Sequence, residues 1–322
     1  MSEQLHRFGR NAHLCGILNV PASSAAAAKG PAVIFITAGL LHKAGPFRLY
    51  VELSRTLAAM GMSALRFDLS GIGESGRSDD DESAEQSSVS DVRDAMDFLE
   101  HEFGTRRFVL AGLCSGAEVA HRAAVQDPRV CGVIAMDGYI VRTTAWYWRH
   151  YLPRIFSLRK WLDFTASRLR RMRRREDDAA PEEDALAFWE GPGPGRDQLA
   201  EEFRSLCRRH VRQLQIFSGG SGDCSYERQF QDAFRDVDFN GLLDVRFLAE
   251  TDHVYVLQAD RRRLMRTITR WLGEHFIAEP AFAHAPAAAS PPRQPVLVPG
   301  LAPRLSGELR HSAKLAERRN FE

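Results

Sequence analysis

A five-residue turn holds the most reactive candidate in the chain, Gly112-Leu113-Cys114-Ser115-Gly116. An apolar run precedes it at residues 108–111, and a helix-compatible stretch follows from Ala117. Glycines two positions before and two after a central residue let strand and helix backbones pass close together around a strained turn. The central side chain then projects at a helix N-terminus, whose partial positive charge favours a thiolate. We therefore predict that Cys114 is a nucleophile.

Ser115 is the competing nucleophile, because a serine in a glycine-rich turn is typical of serine hydrolases. Its spacing argues against it, since Leu113 would crowd the turn two positions before it, whereas Cys114 has a glycine at both positions. Ser115 is instead predicted to donate its backbone N–H to the oxyanion of a tetrahedral intermediate. The alternative for Cys114 is a small buried residue in a fold that has lost its chemistry.

Two later segments offer the base and the acid that such a nucleophile needs. Residues 242–248 are predicted as a strand that leads to His253. Residues 213–218 are predicted as a strand that leads through a glycine-rich loop to Asp223. The imidazole would take the thiol proton, and the carboxylate would hold the imidazole in one tautomer and stabilise its cation. We predict His253 as the base and Asp223 as the acid.

Asp137 is an alternative acid. It closes the apolar run of residues 133–136 and so also ends a predicted strand. Asp252 is adjacent to His253, but neighbouring side chains diverge, so its carboxylate is expected to point away from the imidazole. A histidine in a loop is often a solvated surface residue, and the order and spacing of His253 favour the catalytic role.

The second oxyanion donor is expected in the loop after an early strand. Ala32–Ile36 is a continuous apolar run, which suits a strand in a sheet that is covered on both faces. Thr37-Ala38-Gly39-Leu40 follows it. We predict that the backbone N–H of Leu40 acts together with that of Ser115.

Glycines also follow a second predicted strand, at Gly71-Ile72-Gly73. A dinucleotide site would need its glycine motif after the first strand and at the start of a helix. Here the motif follows the second strand and leads into the acidic run of residues 79–82, which would repel a pyrophosphate. The sequence therefore argues against NAD, and we interpret these glycines as a turn beneath the rim of the site.

Together these motifs resemble the α/β-hydrolase superfamily over roughly residues 8–277. The likeness is to bacterial hydrolases of the exosortase-associated and serine-aminopeptidase-like type. Further residues that carry it are Phe8-Gly9, residues 14–21, Ala38-Gly39, residues 42–48 and Arg66-Phe67-Asp68. The resemblance implies an α/β fold with a mostly parallel central sheet, helices on both faces and a helical cap insertion. It also implies the chain order nucleophile, acid, base.

The chain departs from this family pattern at two positions. Many relatives have His-Gly where this chain has Ala38-Gly39, which keeps the glycine and need not affect a backbone donor. The usual nucleophile is serine, whereas Cys114 is similar to the nucleophile of dienelactone-hydrolase-like enzymes. The cysteine leaves hydrolysis and acyl transfer both open.

Composition limits the classes of function. A chain of 322 residues can bury one substantial α/β core plus a smaller element, and a net charge of +1 gives no electrostatic case for nucleic acid. Five cysteines without CxxC spacing indicate neither a zinc site nor a disulfide framework, so a cytoplasmic location is expected and no metal or cofactor. We expect no signal peptide, because residues 1–7 lack a long apolar stretch, and no apolar run approaches the roughly 18 residues of a membrane span.

The segment of residues 139–205 interrupts the alternation of strands and helices. We predict a core in two parts, 1–138 and 206–278, with a helical cap at 139–205 and an Ala/Pro-rich linker and tail at 279–322. The cap is rich in aromatic residues and arginines. Its aromatics could cover an apolar acyl chain or pack on the core. Its arginines could meet a phosphate or form a solvated helix face.

The predicted function is an acyl hydrolase, of the esterase or thioesterase kind, that forms a thioacyl intermediate on Cys114. An acyltransferase or cyclase on the same triad is one alternative, and a non-catalytic ligand-binding protein is another. The expected partner is a small-molecule acyl ester or thioester. The acyl chain, the leaving group and the oligomeric state stay open.

Overall fold

Eight strands form one sheet in the residues that the computed structural model describes, which are 2–22, 30–78, 83–155 and 193–277. They are β1 Ser2–Phe8, β2 Leu14–Val20, β3 Ala32–Ile36, β4 Ala64–Asp68, β5 Phe108–Leu113, β6 Val130–Met136, β7 Arg212–Ser218 and β8 Leu243–Leu248. Their order across the sheet is β1-β2-β4-β3-β5-β6-β7-β8. β1 and β2 are antiparallel, β2 is antiparallel to β4, and β3 to β8 are parallel.

Seven helices cover the sheet within these described ranges. They are α1 Leu49–Ala59, α2 Ala84–Phe103, α3 Ser115–Gln126, α4 Thr144–Ile155, α5 Arg196–Arg208, α6 Gln229–Ala233 and α7 Gln258–Leu272. Helices α1 and α7 bury apolar residues against one face, and α2, α3, α5 and α6 bury theirs against the other. None of these helices is both long and apolar enough to cross a bilayer.

The central strands explain why the sheet is buried on both sides. Every residue of β3 and of β5 is buried, as expected for parallel strands with helices on both faces. The carboxyl ends of parallel strands meet at one edge of the sheet, and the loops there carry Cys114, Asp137 and His253. The predicted α/β fold, with a mostly parallel sheet and helices on both faces, is confirmed.

The boundary of the predicted cap differs from the observed packing at its C-terminal end. Leu199, Phe203 and Leu206 of α5 are fully buried in the core beside α3, so this helix is a layer of the core. Helix α4 begins the predicted cap. Residues 156–192, which include the arginine cluster, and the predicted tail at 279–322 lie outside the described residues.

Candidate active site

Cys114 lies in the sharp turn between β5 and α3. Its backbone has φ 53° and ψ −126°, a conformation that strains any residue other than glycine. Hydrogen bonds on both sides hold it there: its N–H donates to the Met136 carbonyl at 2.8 Å, and its carbonyl accepts from the Ala117 N–H at 2.9 Å. The thiol is exposed at the carboxyl edge of the sheet. The surrounding structure therefore fixes a strained residue with its side chain free to react.

Gly112 and Gly116 allow α3 to approach the sheet. A Cβ on Gly112 would overlap the backbone of Gly116. A Cβ on Gly116 would lie 2.6 Å from the carbonyl oxygen of Ile36 and 2.8 Å from that of Thr37. These separations are too short for a side chain. The spacing that singled out Cys114 in the sequence thus reflects close packing of the elbow on β3 and β5.

His253, in the loop after β8, lies between Asp137 and Cys114. Its Nδ1 lies 3.0 Å from Asp137 Oδ2, and the Cys114 thiol lies close enough to the ring to raise the pKa of the imidazole. Cys114, His253 and Asp137 thus form a continuous chain of thiol, imidazole and buried carboxylate. This is the arrangement of nucleophile, base and orienting acid found in covalent catalysis.

Three hydrogen-bond donors surround the carboxylate of Asp137. Ser218 donates its N–H to Oδ1 at 2.6 Å and its hydroxyl to Oδ2 at 2.7 Å, and His253 is the third donor. The backbone of Asp137 has φ 49°, and its N–H donates to the Ile216 carbonyl at 2.8 Å. The pairing of β6 with β7 therefore continues past the strand end and fixes the carboxylate. Donors of this kind make a buried carboxylate tolerable as an anion.

These contacts raise the pKa of His253 to about 10. The hydrogen bond to Asp137 is the largest cause and the hydrogen bond to Cys114 is the second, while burial acts in the opposite direction. An imidazole with this pKa is protonated at neutral pH and places a positive charge beside the thiol.

Comparisons with known proteins agree with this fold. A family model described as "Serine aminopeptidase, S33" matches residues 29–186. The solved structure of an esterase from Pyrococcus furiosus has a TM-score of 0.54 at 15% identity, over 85% of this chain and 90% of that chain. The chain belongs to the α/β-hydrolase superfamily.

Two further α/β-hydrolase structures are similar. GrgF from Penicillium sp. has a TM-score of 0.56 at 15% identity, over 86% of this chain and 99% of that one. Mouse α/β hydrolase domain-containing protein 10 has a TM-score of 0.50 at 16% identity, over 85% and 99%. At these identities the structural likeness shows the fold alone. No curated protein matches the sequence significantly.

Asp223, predicted as the acid of this α/β-hydrolase, lies elsewhere. Its Oδ1 accepts a hydrogen bond from Arg142 Nη2 at 2.8 Å, and both side chains are about half exposed. The carboxylate beside His253 belongs to Asp137. The acid is therefore corrected from Asp223 to Asp137, the alternative that the sequence left open, because the extended end of β6 reaches the imidazole.

The glycines between β7 and Asp223 allow a close contact instead of presenting an acid. A Cβ on Gly219 would overlap the Ala249 carbonyl, and one on Gly220 would lie 2.7 Å from the Cα of Asp252. The end of β7 thus packs directly against the loop that carries His253. Asp252 stabilises that loop, because its carboxylate accepts the N–H of Val254 at 3.0 Å.

The oxyanion loop, residues 37–41, lies beside the elbow. The N–H of Gly39 donates to Ser115 Oγ at 2.8 Å, and the N–H of Leu41 donates to the Ala38 carbonyl at 2.9 Å. Gly39 has φ 50°, a conformation that favours glycine. Ser115 begins α3, so its N–H belongs to the first turn, whose amides have no acceptor within the helix. Leu40 lies in the turn between these contacts and remains the second predicted donor.

A buried ion pair anchors the chain just beyond the oxyanion loop. Lys43 donates its N–H and its Nζ to the two carboxylate oxygens of Asp68, at 2.5 and 2.7 Å, and Nζ also contacts Glu74. A Cβ on Gly73 would overlap that carboxylate, which explains the glycine turn after β4. His42, Asp68 and Glu74 are close enough together to suggest cation ligands. The ammonium of Lys43 already lies among them, so the group does not suit a metal.

The start of α4 contacts the loop after β7. Trp146 is buried and donates its Nε1–H to the Gly222 carbonyl at 3.2 Å, whereas Tyr147 and Trp148 are exposed. One of the predicted cap aromatics therefore packs on the core and its two neighbours do not. The aromatic residues of the predicted cap between positions 156 and 192 lie outside the part of the chain that the structure describes.

Ser218 and Lys43 are the site residues that sequence reasoning missed. Ser218 carries no distinctive local signal, because its role depends on β7 lying beside the end of β6. A signal for Lys43 was available. Asp68 ends β4, every residue of which is buried, and a buried carboxylate there needs a cation, which the nearby lysine supplies.

Proposed function

We propose that this α/β-hydrolase is an acyl hydrolase for esters or thioesters with an apolar acyl group. Cys114 is the nucleophile, His253 the base and acid, and Asp137 the residue that orients His253. The observation that carries the proposal is one imidazole that is hydrogen-bonded to the buried Asp137 carboxylate and lies near the exposed Cys114 thiol. The order of the three groups matches what covalent acyl transfer requires.

The reaction has two stages. The Cys114 thiolate attacks the carbonyl carbon, a C–S bond forms, and the carbonyl electrons move to the oxygen, which accepts the N–H groups of Leu40 and Ser115. The intermediate collapses, the bond to the leaving group breaks, and His253 gives that group its proton. A water molecule, deprotonated by His253, then attacks the thioacyl carbon. The C–S bond breaks, the acid leaves, and the thiolate is restored.

The loops around Cys114 support an apolar acyl group. Five large apolar side chains there are between 38% and 69% exposed: Leu40, Leu41, Val254, Val256 and Leu257. Two of them belong to the oxyanion loop, and the other three lie within the four residues that follow His253. Exposed apolar side chains clustered around reactive groups are typical of sites for apolar ligands. A short polar acyl group would leave this surface uncovered.

The test compares p-nitrophenyl esters of increasing acyl length with the matching acyl thioesters, and records product release and intact mass. Wild type is expected to gain one acyl group on Cys114 and release the acid, with faster acylation for longer chains. Cys114→Ala is expected to show neither, and Cys131→Ala is the matched control. A stable adduct without release would replace hydrolysis by acyl transfer. No adduct from any substrate would overturn the proposal.

A further inference from the structure

The hydroxyl of Ser115 makes a contact that the proposed reaction does not use. It accepts the N–H of Gly39 at 2.8 Å and so joins the first residue of α3 to the oxyanion loop. Ser115 follows Cys114 directly, so its own position is fixed with that of the nucleophile. The hydrogen bond therefore sets the distance between the nucleophile and the loop that carries Leu40.

Packing does little to hold the loop at this point. A Cβ built on Gly39 would meet no atom within 4 Å, so the backbone there has open space on that side. The side chain of Leu40 is exposed and does not anchor the loop in the core. Glycine also has the widest range of backbone conformations of any residue type, so the backbone at Gly39 is not held by its own sterics. The hydrogen bond from Gly39 to Ser115 and the one from Leu41 to Ala38 therefore restrain the loop at this point.

We propose that Ser115 is a positioning residue whose hydroxyl holds the oxyanion loop, so that the Leu40 N–H points to the developing oxyanion. This rests on the proposed function. Ser115 then acts twice: its own N–H is one oxyanion donor, and its side chain fixes the peptide that presents the other. A peptide that can rotate about Gly39 would offer the Leu40 N–H only part of the time.

The first experiment removes the hydroxyl and follows acylation of Cys114. Loss of one oxyanion donor lowers kcat by about 10²–10³-fold, so a donor that is misplaced but present is expected to cost about 10–100-fold. Ser115→Ala is expected to lower kcat by that factor with little change in KM, and Ser115→Thr to restore most of it. Ser88→Ala, which removes a hydroxyl bonded to the Ala84 carbonyl in α2, is the matched control. Wild-type acylation by Ser115→Ala would overturn the proposal.

A second reaction separates the loop from the thiolate. Iodoacetamide alkylates Cys114 by displacement at a saturated carbon, which develops no oxyanion. Ser115→Ala is therefore expected to alkylate at the wild-type rate within about twofold while its acylation is slow. Equal slowing of alkylation and acylation would place the effect on the nucleophile and overturn the role in positioning the loop.

A measurement on the unmodified protein keeps the proposal testable if Ser115→Ala does not fold, or if the proposed substrates fail. The Gly39 amide of wild type is expected to exchange its hydrogen well below the rate of an unprotected glycine, and Ser115→Thr to preserve that protection. Free exchange of this amide in wild type would overturn the proposal whatever the chain catalyses. Slow exchange together with an absence of acylation would refute only the function.

Discussion

The two candidate acids of this site follow neighbouring strands, Asp137 directly after β6 and Asp223 after the loop that follows β7, and they have opposite surroundings. The side chain of Asp137 is 1% exposed and accepts three hydrogen bonds, one of them from His253. The side chain of Asp223 is 50% exposed and faces Arg142. Both follow the order expected of an α/β-hydrolase. Burial and donors, which depend on neighbouring strands, distinguish the orienting acid from a surface acid.

The largest expected difference between the two acids is in catalysis. Asp137→Asn is expected to lower kcat/KM by about 10³-fold or more, because an amide neither stabilises the imidazolium nor fixes its tautomer. Asp223→Asn is expected to stay within about threefold of wild type. The comparison is measured with the best ester or thioester of the panel. A larger loss in Asp223→Asn than in Asp137→Asn would return the acid to residue 223.

The variant Ser218→Ala tests how much the hydrogen-bond donors around the Asp137 carboxylate contribute to activity. Ser218→Ala removes one of the two donors to Oδ2 and is expected to lower kcat by about tenfold, since His253 alone then holds that oxygen. The control is Ser221→Ala, three residues further along the chain. It removes a hydroxyl that donates to the Ser218 backbone carbonyl at 3.1 Å and not to Asp137. Equal activity of both variants would show that Asp137 needs no side-chain support.

The stability of the fold should depend on pH through His253. Its pKa in the folded chain, about 10, lies above its ordinary value of 6.5, so protonation stabilises the folded state. That contribution is complete below pH 6.5 and is lost as pH rises towards 10. The Tm of wild type relative to His253→Gln is therefore expected to fall steadily over this interval, with Asp223→Asn against wild type as the flat control. A difference in Tm between wild type and His253→Gln that stays constant over this interval would contradict a protonated His253 in the folded state.

The smallest expected effect is the contribution of the Asp223–Arg142 pair to stability. Half-exposed ion pairs contribute about 0.2–1 kcal/mol, so Asp223→Asn is expected to lower the free energy of unfolding by less than about 1 kcal/mol. Urea unfolding of wild type and variant measures it. A loss of several kcal/mol would mean that Asp223 has a structural role that its exposure does not suggest.

Much of the fold was predictable because its strongest signals are local. The apolar run Ala32–Ile36 matches β3 residue for residue, and the glycine spacing around Cys114 follows from a turn of five residues. β1 gave no comparable signal. It is an edge strand with mostly exposed residues, so its sequence lacks the apolar runs of the centre.

The parts of the site that were missed depend on contacts between distant segments. Asp137 and Ser218 are 81 residues apart and meet because β6 pairs with β7. Lys43 and Asp68 meet because the chain after β3 crosses the end of β4. For Asp137 and Ser218 no local pattern reports the neighbour, and the glycines before Asp223 that suggested an active-site loop allow close packing instead.

The strained backbone at Cys114 has a consequence for engineering. A non-glycine residue in such a conformation costs about 1–3 kcal/mol, a penalty that glycine at position 114 would not incur. Heat treatment alone would therefore favour variants that replace the nucleophile. Any search for thermostable forms of this chain has to select for turnover at the same time, or it will enrich stable proteins that no longer react.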